Sequence, residues 1–200
     1  MVTARSYLLA LASAAVFTLS ACGGSSGLTP TLGASAPEVE QDGSLVNEFI
    51  AICGDIVING TAPASAIEGF DWERPVATDM EQMAAMGGYA ADKSDGAANL
   101  QVIPLDFPHL KGINCMVSAL DPMTVDMAAL DPLETLDGFL GEVEWVGSGS
   151  DRTELGRFSA IAEDGAVVTI NVIRFEDGRF MTLSMTRSKP VAASGSEANG

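Results

Sequence analysis

From Ser44 to Asn59 the apolar residues Leu45, Phe49, Cys53 and Ile56 recur at helical spacing, and Val46, Ile50 and Val57 widen the stripe. The pattern predicts an amphipathic helix with Ser44 as N-cap and Asn59-Gly60 as its stop. Gly54 inside it costs about 1 kcal/mol relative to Ala and leaves room beside Cys53 for another element. A short second helix is expected over 63–68, started by Thr61 and ended by Gly69. Phe70 and Trp72 follow as core aromatics, Trp72 as a plug against the first helix rather than a ligand platform. Residues 78–86 predict another helical turn before Gly87-Gly88.

The period then shortens to two. Residues 89–93 and 100–105 read as strands around a polar turn at Ser94-Asp95-Gly96, with Pro104 and Pro108 keeping the second from being a long central strand. Over 112–120, Ile113, Cys115, Val117 and Ala119 alternate with Asn114, Met116 and Ser118, so Cys115 points to the apolar side. Ala119-Leu120-Asp121-Pro122-Met123 is echoed by Ala129-Leu130-Asp131-Pro132-Leu133. Asp before Pro is a helix-start signal, which predicts two short helices in tandem, or one kinked at Pro132, over 122–140, with Asp121 and Asp131 as caps and a stop at Gly138 or Gly141.

The last third is a meander. Runs at 155–162, 166–175 and 179–187 are separated by Asp164-Gly165 and Asp177-Gly178, the strongest short hairpin signal, and 142–147 forms a fourth strand before the loop Gly147-Ser148-Gly149-Ser150. Val168, Ile170 and Val172 should share a face with Met181, Leu183 and Met185, opposite Thr182, Ser184 and Thr186. Val167, Ile173, Phe175 and Phe180 fall on that second, wetter side, so either another layer covers them or they form a contact patch.

Charge narrows the partners. The 200 residues carry 10 Lys and Arg against 27 Asp and Glu, a formal charge of −17. Phosphate binding needs clustered cations, so nucleic acid is not a partner on this reading, and no polybasic patch helps hold the chain on anionic lipid.

The N-terminus supplies an address. Arg5 is a short basic region, 7–19 is apolar, and Ala21 precedes Cys22, the order of parts in a secretory signal peptide. The run is too short to span a bilayer comfortably. Leu19-Ser20-Ala21-Cys22 resembles the lipobox of bacterial lipoproteins, whose last residue is an obligatory cysteine. That resemblance implies diacylglycerol on the Cys22 thiol, cleavage before it and acylation of the new amine; an ordinary cleaved signal peptide is the alternative. One acyl chain binds a membrane reversibly, and two or more anchor stably. Gly23, where inner-membrane retention in enterobacterial lipoproteins uses Asp, implies sorting to the outer membrane with the domain facing the periplasm. Residues 22–43 would be the lipidated cysteine and a Gly/Ser/Pro/Thr-rich flexible linker, 44–188 a single domain and 189–200 a disordered tail.

With Cys22 assigned to lipid, Cys53 and Cys115 remain as an even pair in an oxidising compartment, and a disulfide between them is expected. The rival, a catalytic thiol, needs a base and an unpaired partner. His109 is the sole histidine, in a loop or edge position six residues before Cys115, and its default is a turn histidine. No nucleophile elbow, phosphate-binding loop or dinucleotide fingerprint occurs. Met80, Met83 and Met86 fall near one helical face, a spacing open to copper(I), but no Cys or His accompanies them and they read as filler of an irregular core. Asp121, Asp126, Asp131, Glu134 and Asp137 miss the spacing of a calcium loop, and Glu142 and Glu144 read as a solvated strand face. No metal or cofactor is expected.

These patterns predict one α+β domain: a predominantly antiparallel sheet with a C-terminal meander, packed against N-terminal and central helices and pinned by Cys53–Cys115. The layout loosely resembles small exported α+β proteins with one helix cysteine and one strand cysteine, a resemblance that brings no activity. The expected role is a lipid-anchored envelope protein working as an interaction or assembly module on an envelope partner. An acidic inhibitor of a basic lytic enzyme, lysozyme-like, is the alternative, and a hydrolase the third reading.

Overall fold

A computed structural model describes residues 32–33, 44–74, 87–119, 130–146, 153–175 and 181–191, with the side chains of 145, 146, 154 and 175 left aside. The signal segment, Cys22, most of the linker, the three-Met turn, the first Asp-Pro helix start, the Asp177-Gly178 turn and the tail after 191 lie outside the described residues.

The chain builds helix α1 (Leu45–Gly54), continued by a π-helical turn over Asp55–Asn59, then α2 (Pro63–Ala66), strands β1 (Trp72–Glu73), β2 (Tyr89–Lys93), β3 (Ala98–Phe107) and β4 (Leu110–Ala119). Helix α3 (Asp131–Glu134) leads into β5 (Leu140–Val146), β6 (Thr153–Ile161), β7 (Val167–Phe175) and β8 (Met181–Pro190). All eight strands form one sheet in the order β1-β2-β3-β4-β8-β7-β6-β5, antiparallel throughout. Two meanders therefore meet at a seam, β4 against β8, which pairs Cys115 with Met185 and Val117 with Leu183. This is the expected α+β architecture, with the meander extended to four strands as predicted.

Helix α1 starts where the sequence places it, the Asn47 N–H donating to Ser44 Oγ at 3.2 Å. Its burial exceeds the stripe the sequence predicts: Val46, Phe49, Ile50, Ile52 and Cys53 are buried, and so are Asn47 and Glu48. A helix enclosed on most sides is embedded in the domain. Here α1 packs on β4 and β8 with α2 and α3 beside it. The π turn ends at Gly60, whose φ of 75° is the left-handed conformation glycine adopts without strain. Cys53 on α1 and Cys115 on β4 are both fully buried and joined by the expected disulfide, with Cα atoms 5.5 Å apart.

Several boundaries differ from expectation for identifiable reasons. The N-cap of α2 is Ala62, because the Thr61 N–H is already committed to Asp55 O at 3.1 Å and belongs to the end of the preceding helix. Helix α3 has Leu130, not Asp131, in the cap position, since Leu130 is buried and already helical while Asp131 is exposed. The helix stops earlier than expected, at Glu134 with Thr135 as its C-cap; Gly138 at φ 79° belongs to the turn that follows, and Gly141 sits inside β5. Strand β3 runs on through Pro104 to Phe107, because β2 pairs with it only as far as Val102 and Pro104 lies where that side is an open edge. Residues 107–110 close a hairpin over Pro108-His109, and β8 extends two residues past the expected domain end at 188. Within the stretch expected to be linker, Leu32 is 2% exposed, its N–H donating to Ile161 O at 2.9 Å.

Candidate functional site

The sheet's alternation divides the chemistry into two faces. The face toward α1 carries Leu100, Val102, Cys115, Val117, Leu183, Met185, Val168 and Ile170, all buried. One charged group is set into its margin: Glu48 on α1 is 8% exposed and accepts from Trp72 Nε1 at 2.9 Å and from Lys93 Nζ at 2.7 Å through each oxygen. Lys93 also lies 5.5 Å from the Trp72 ring centroid. The carboxylate is satisfied by two donors from β1 and β2, so the cluster clamps α1 to the short edge of the sheet and leaves no free group for chemistry. Trp72 is thus the plug the sequence predicts.

No described helix packs on the opposite face. Its cross-strand rows are polar at the centre and mixed at the β6–β5 side. One row reads Asn99, Ser118, Thr182, Ile173, Leu155, Glu144, and the next Gln101, Met116, Ser184, Asn171, Arg157, Glu142. Asn114 donates to Thr186 Oγ1 at 2.7 Å, and Ser118 and Thr182 hydroxyls are 3.2 Å apart, so the ladder is tied laterally. Ile173 and Leu140 are exposed on this face. Ile173 is therefore solvent-exposed, while Ser118 and Thr182 farther along its row are buried. A shallow groove of about 380 Å³ lies between Gly141, Glu142, Glu144, Leu155 and Arg157. Glu142 and Glu144 face solvent as expected, with Arg157 directly across from Glu142.

At one end of the sheet, the β3–β4 hairpin carries Phe107 and His109 with ring centroids 6.5 Å apart and stacked. Val191 donates its N–H to His109 O at 3.0 Å, and Val191, Pro108 and His109 are exposed there. His109 is the turn residue expected of it, and Cys115 is locked in its disulfide, so these two do not form a Cys-His pair. On the same end, the β6–β7 turn presents Asp164. Its carboxyl is held below the ordinary carboxylate range, first by the Ala166 N–H at 3.1 Å and then by Arg187 at 2.9 Å and Lys189 at 3.4 Å. Arg187 also donates to Ile58 O at 3.0 Å, tying the π turn to β8.

Among the described residues no His, Cys, Asp and Glu group is arranged to hold a metal ion. Asp131, Glu134 and Asp137 lie near α3, whereas Asp121 and Asp126 fall outside the described residues. The sequence pointed to none of the apolar end formed by Phe107, Leu110 and Val191; a hairpin turn of Pro-His carries no glycine signal, and Val191 sits in an expected tail. Comparison with protein-family models, curated proteins and solved structures finds no match to the chain.

Proposed function

We propose that the protein is a lipid-anchored bacterial cell-envelope component, held through acyl chains on Cys22 at the outer membrane and presenting its domain to the periplasm as an interaction or assembly module. The observation that carries the module reading is the face of the eight-stranded sheet on which no described helix packs, whose other face is filled by α1 and the Cys53–Cys115 disulfide. A laterally tied polar ladder with Ile173 and Leu140 exposed beside it matches the mixed character of a non-obligate protein interface. Support for the anchor comes from Leu19-Ser20-Ala21-Cys22 behind an apolar run, and a disulfide between distant segments fits an oxidising compartment.

A photo-cross-linking residue in place of Asn171, at the centre of this face, should give one reproducible protein adduct in cells, whereas one in place of Ser65 on exposed α2 should not. Absence of a specific adduct from position 171 overturns the module reading. Mass spectrometry of the N-terminal peptide tests the anchor separately: Cys22 should carry fatty-acid mass, and Cys22→Ala should move the protein to the soluble fraction.

The formal charge of −17 favours a second reading, an acidic inhibitor of a basic lytic enzyme. Inhibition of lysozyme at low ionic strength that fades with added salt would replace the first reading with this one.

A further inference from the structure

We infer that the Phe107–Leu110 hairpin, with Val191 beside it, is a foot that rests in the headgroup layer of the phospholipid bilayer to which the chain is anchored. The inference rests on the lipid-anchor reading and adds a second contact with the same membrane. Among the described residues four large hydrophobic side chains are exposed, and two of them, Phe107 at 50% and Val191 at 37%, are at this one end of the sheet. The tip is held in shape: Phe107 stacks on His109, and Val191 N–H is bonded to His109 O. A preformed aromatic and aliphatic tip enters an interface without first being ordered.

Behind the tip, Lys111 and Lys189 are directly opposed across the β4–β8 seam and are 65% and 53% exposed. Lys111 is paired with the Asp106 carboxylate at 3.1 Å, and Lys189 donates to the Asp164 carbonyl oxygen at 2.6 Å and lies 3.4 Å from its carboxylate. Exposed pairs of this kind are worth little, so either lysine can exchange its partner for a lipid phosphate. In a chain of charge −17 with 10 cationic side chains, Lys111, Arg187 and Lys189 gather at the apolar end and offset Asp106, Glu163 and Asp164 there.

The path of the chain selects the bilayer as the occupant. Leu32 joins the sheet beside Ile161, which lies in one cross-strand row with Val167, Ser188 and Gly112, two residues from the foot's base at Leu110. Three inter-strand spacings separate Ile161 from Gly112, roughly 14 Å. Cys22 precedes Leu32 by ten residues, a reach of at most about 35 Å fully extended. Acyl chains on Cys22 would therefore draw this end of the domain, foot included, toward the lipid. Tethering raises the local concentration of membrane at the foot, so a contact too weak to bind alone becomes persistent.

The test uses the full-length acylated protein in vesicles of phosphatidylethanolamine and phosphatidylglycerol, with brominated acyl chains as quenchers. Phe107→Trp should show blue-shifted emission and at least twofold quenching above the background of Trp72 and Trp145, and Val191→Trp should behave alike. Ser94→Trp, at the β2–β3 turn on the opposite end, should not be quenched. Lys111→Glu with Lys189→Glu should reduce the quenching at least twofold. Vesicle flotation reads the anchor independently. Protein that floats while Trp at 107 and 191 stays unquenched overturns the foot and leaves the anchor standing. Protein that carries no acyl chain and does not float overturns the anchor, and the foot with it. A photo-cross-linker at position 107 that captures a protein in cells instead of lipid also overturns the foot.

Discussion

Glu48 shows how one side chain can fix the placement of an entire helix. Its two oxygens take three donor contacts from Trp72 and Lys93, groups on separate strands at the edge of the sheet. Removing one partner leaves the other charge in a poorly hydrated place, so Lys93→Met should destabilise by about 2–4 kcal/mol in urea unfolding, and adding Glu48→Gln should restore part of the loss. Asp164 acts at the surface and through pH. Its folded-state pKa is lowered, so the folded chain holds the carboxylate where the unfolded chain has begun to protonate. The contribution is present above the ordinary carboxylate range and disappears as pH falls through the lowered value. Asp164→Asn should therefore lower the melting temperature near neutrality, and the gap between the two proteins should close in strong acid.

Elements follow local rules until burial outweighs them. Strand β5 depends on Gly141: a Cβ there would collide with Arg157 O and with the Phe158 ring. Gly141→Ala should cost about 1–3 kcal/mol, read as a lower melting temperature, because the β5–β6 pair must splay to admit it. The meander was legible because Asp164-Gly165 makes a turn of its own, with Gly165 at φ 79° and Ala166 bonded to the Asp side chain. Helix α1 was legible through its apolar period and Ser44. Asp131-Pro132 misled, since the cap signal is local whereas Leu130 and Leu133 are placed by the core. The foot was hidden because Pro104 and Pro108 read as strand breakers. Their positions, an open edge and a hairpin turn, tolerate proline without breaking the strands.

For the molecule as a whole, the Cys53–Cys115 link was legible from two local patterns, a helix stripe and a strand alternation that both turned a cysteine inward. The pairing of β4 with β8 was not, because no period in either strand names a partner about 70 residues away. Loop closure over the 62-residue separation should contribute about 4 kcal/mol in the chain-entropy model, so a Cys53→Ala, Cys115→Ala protein should unfold at markedly lower urea. Native protein should leave both thiols unreactive to maleimide until it is unfolded and reduced. The sheet order has a consequence for how such a chain is made. Synthesis runs from the first residue to the last, and β8, the strand that closes the seam with β4, is the last described strand to appear. Until then β4 and β7 each present a bare rim able to recruit a neighbour's strand, so a chain whose β8 has not yet arrived is exposed to pairing between copies.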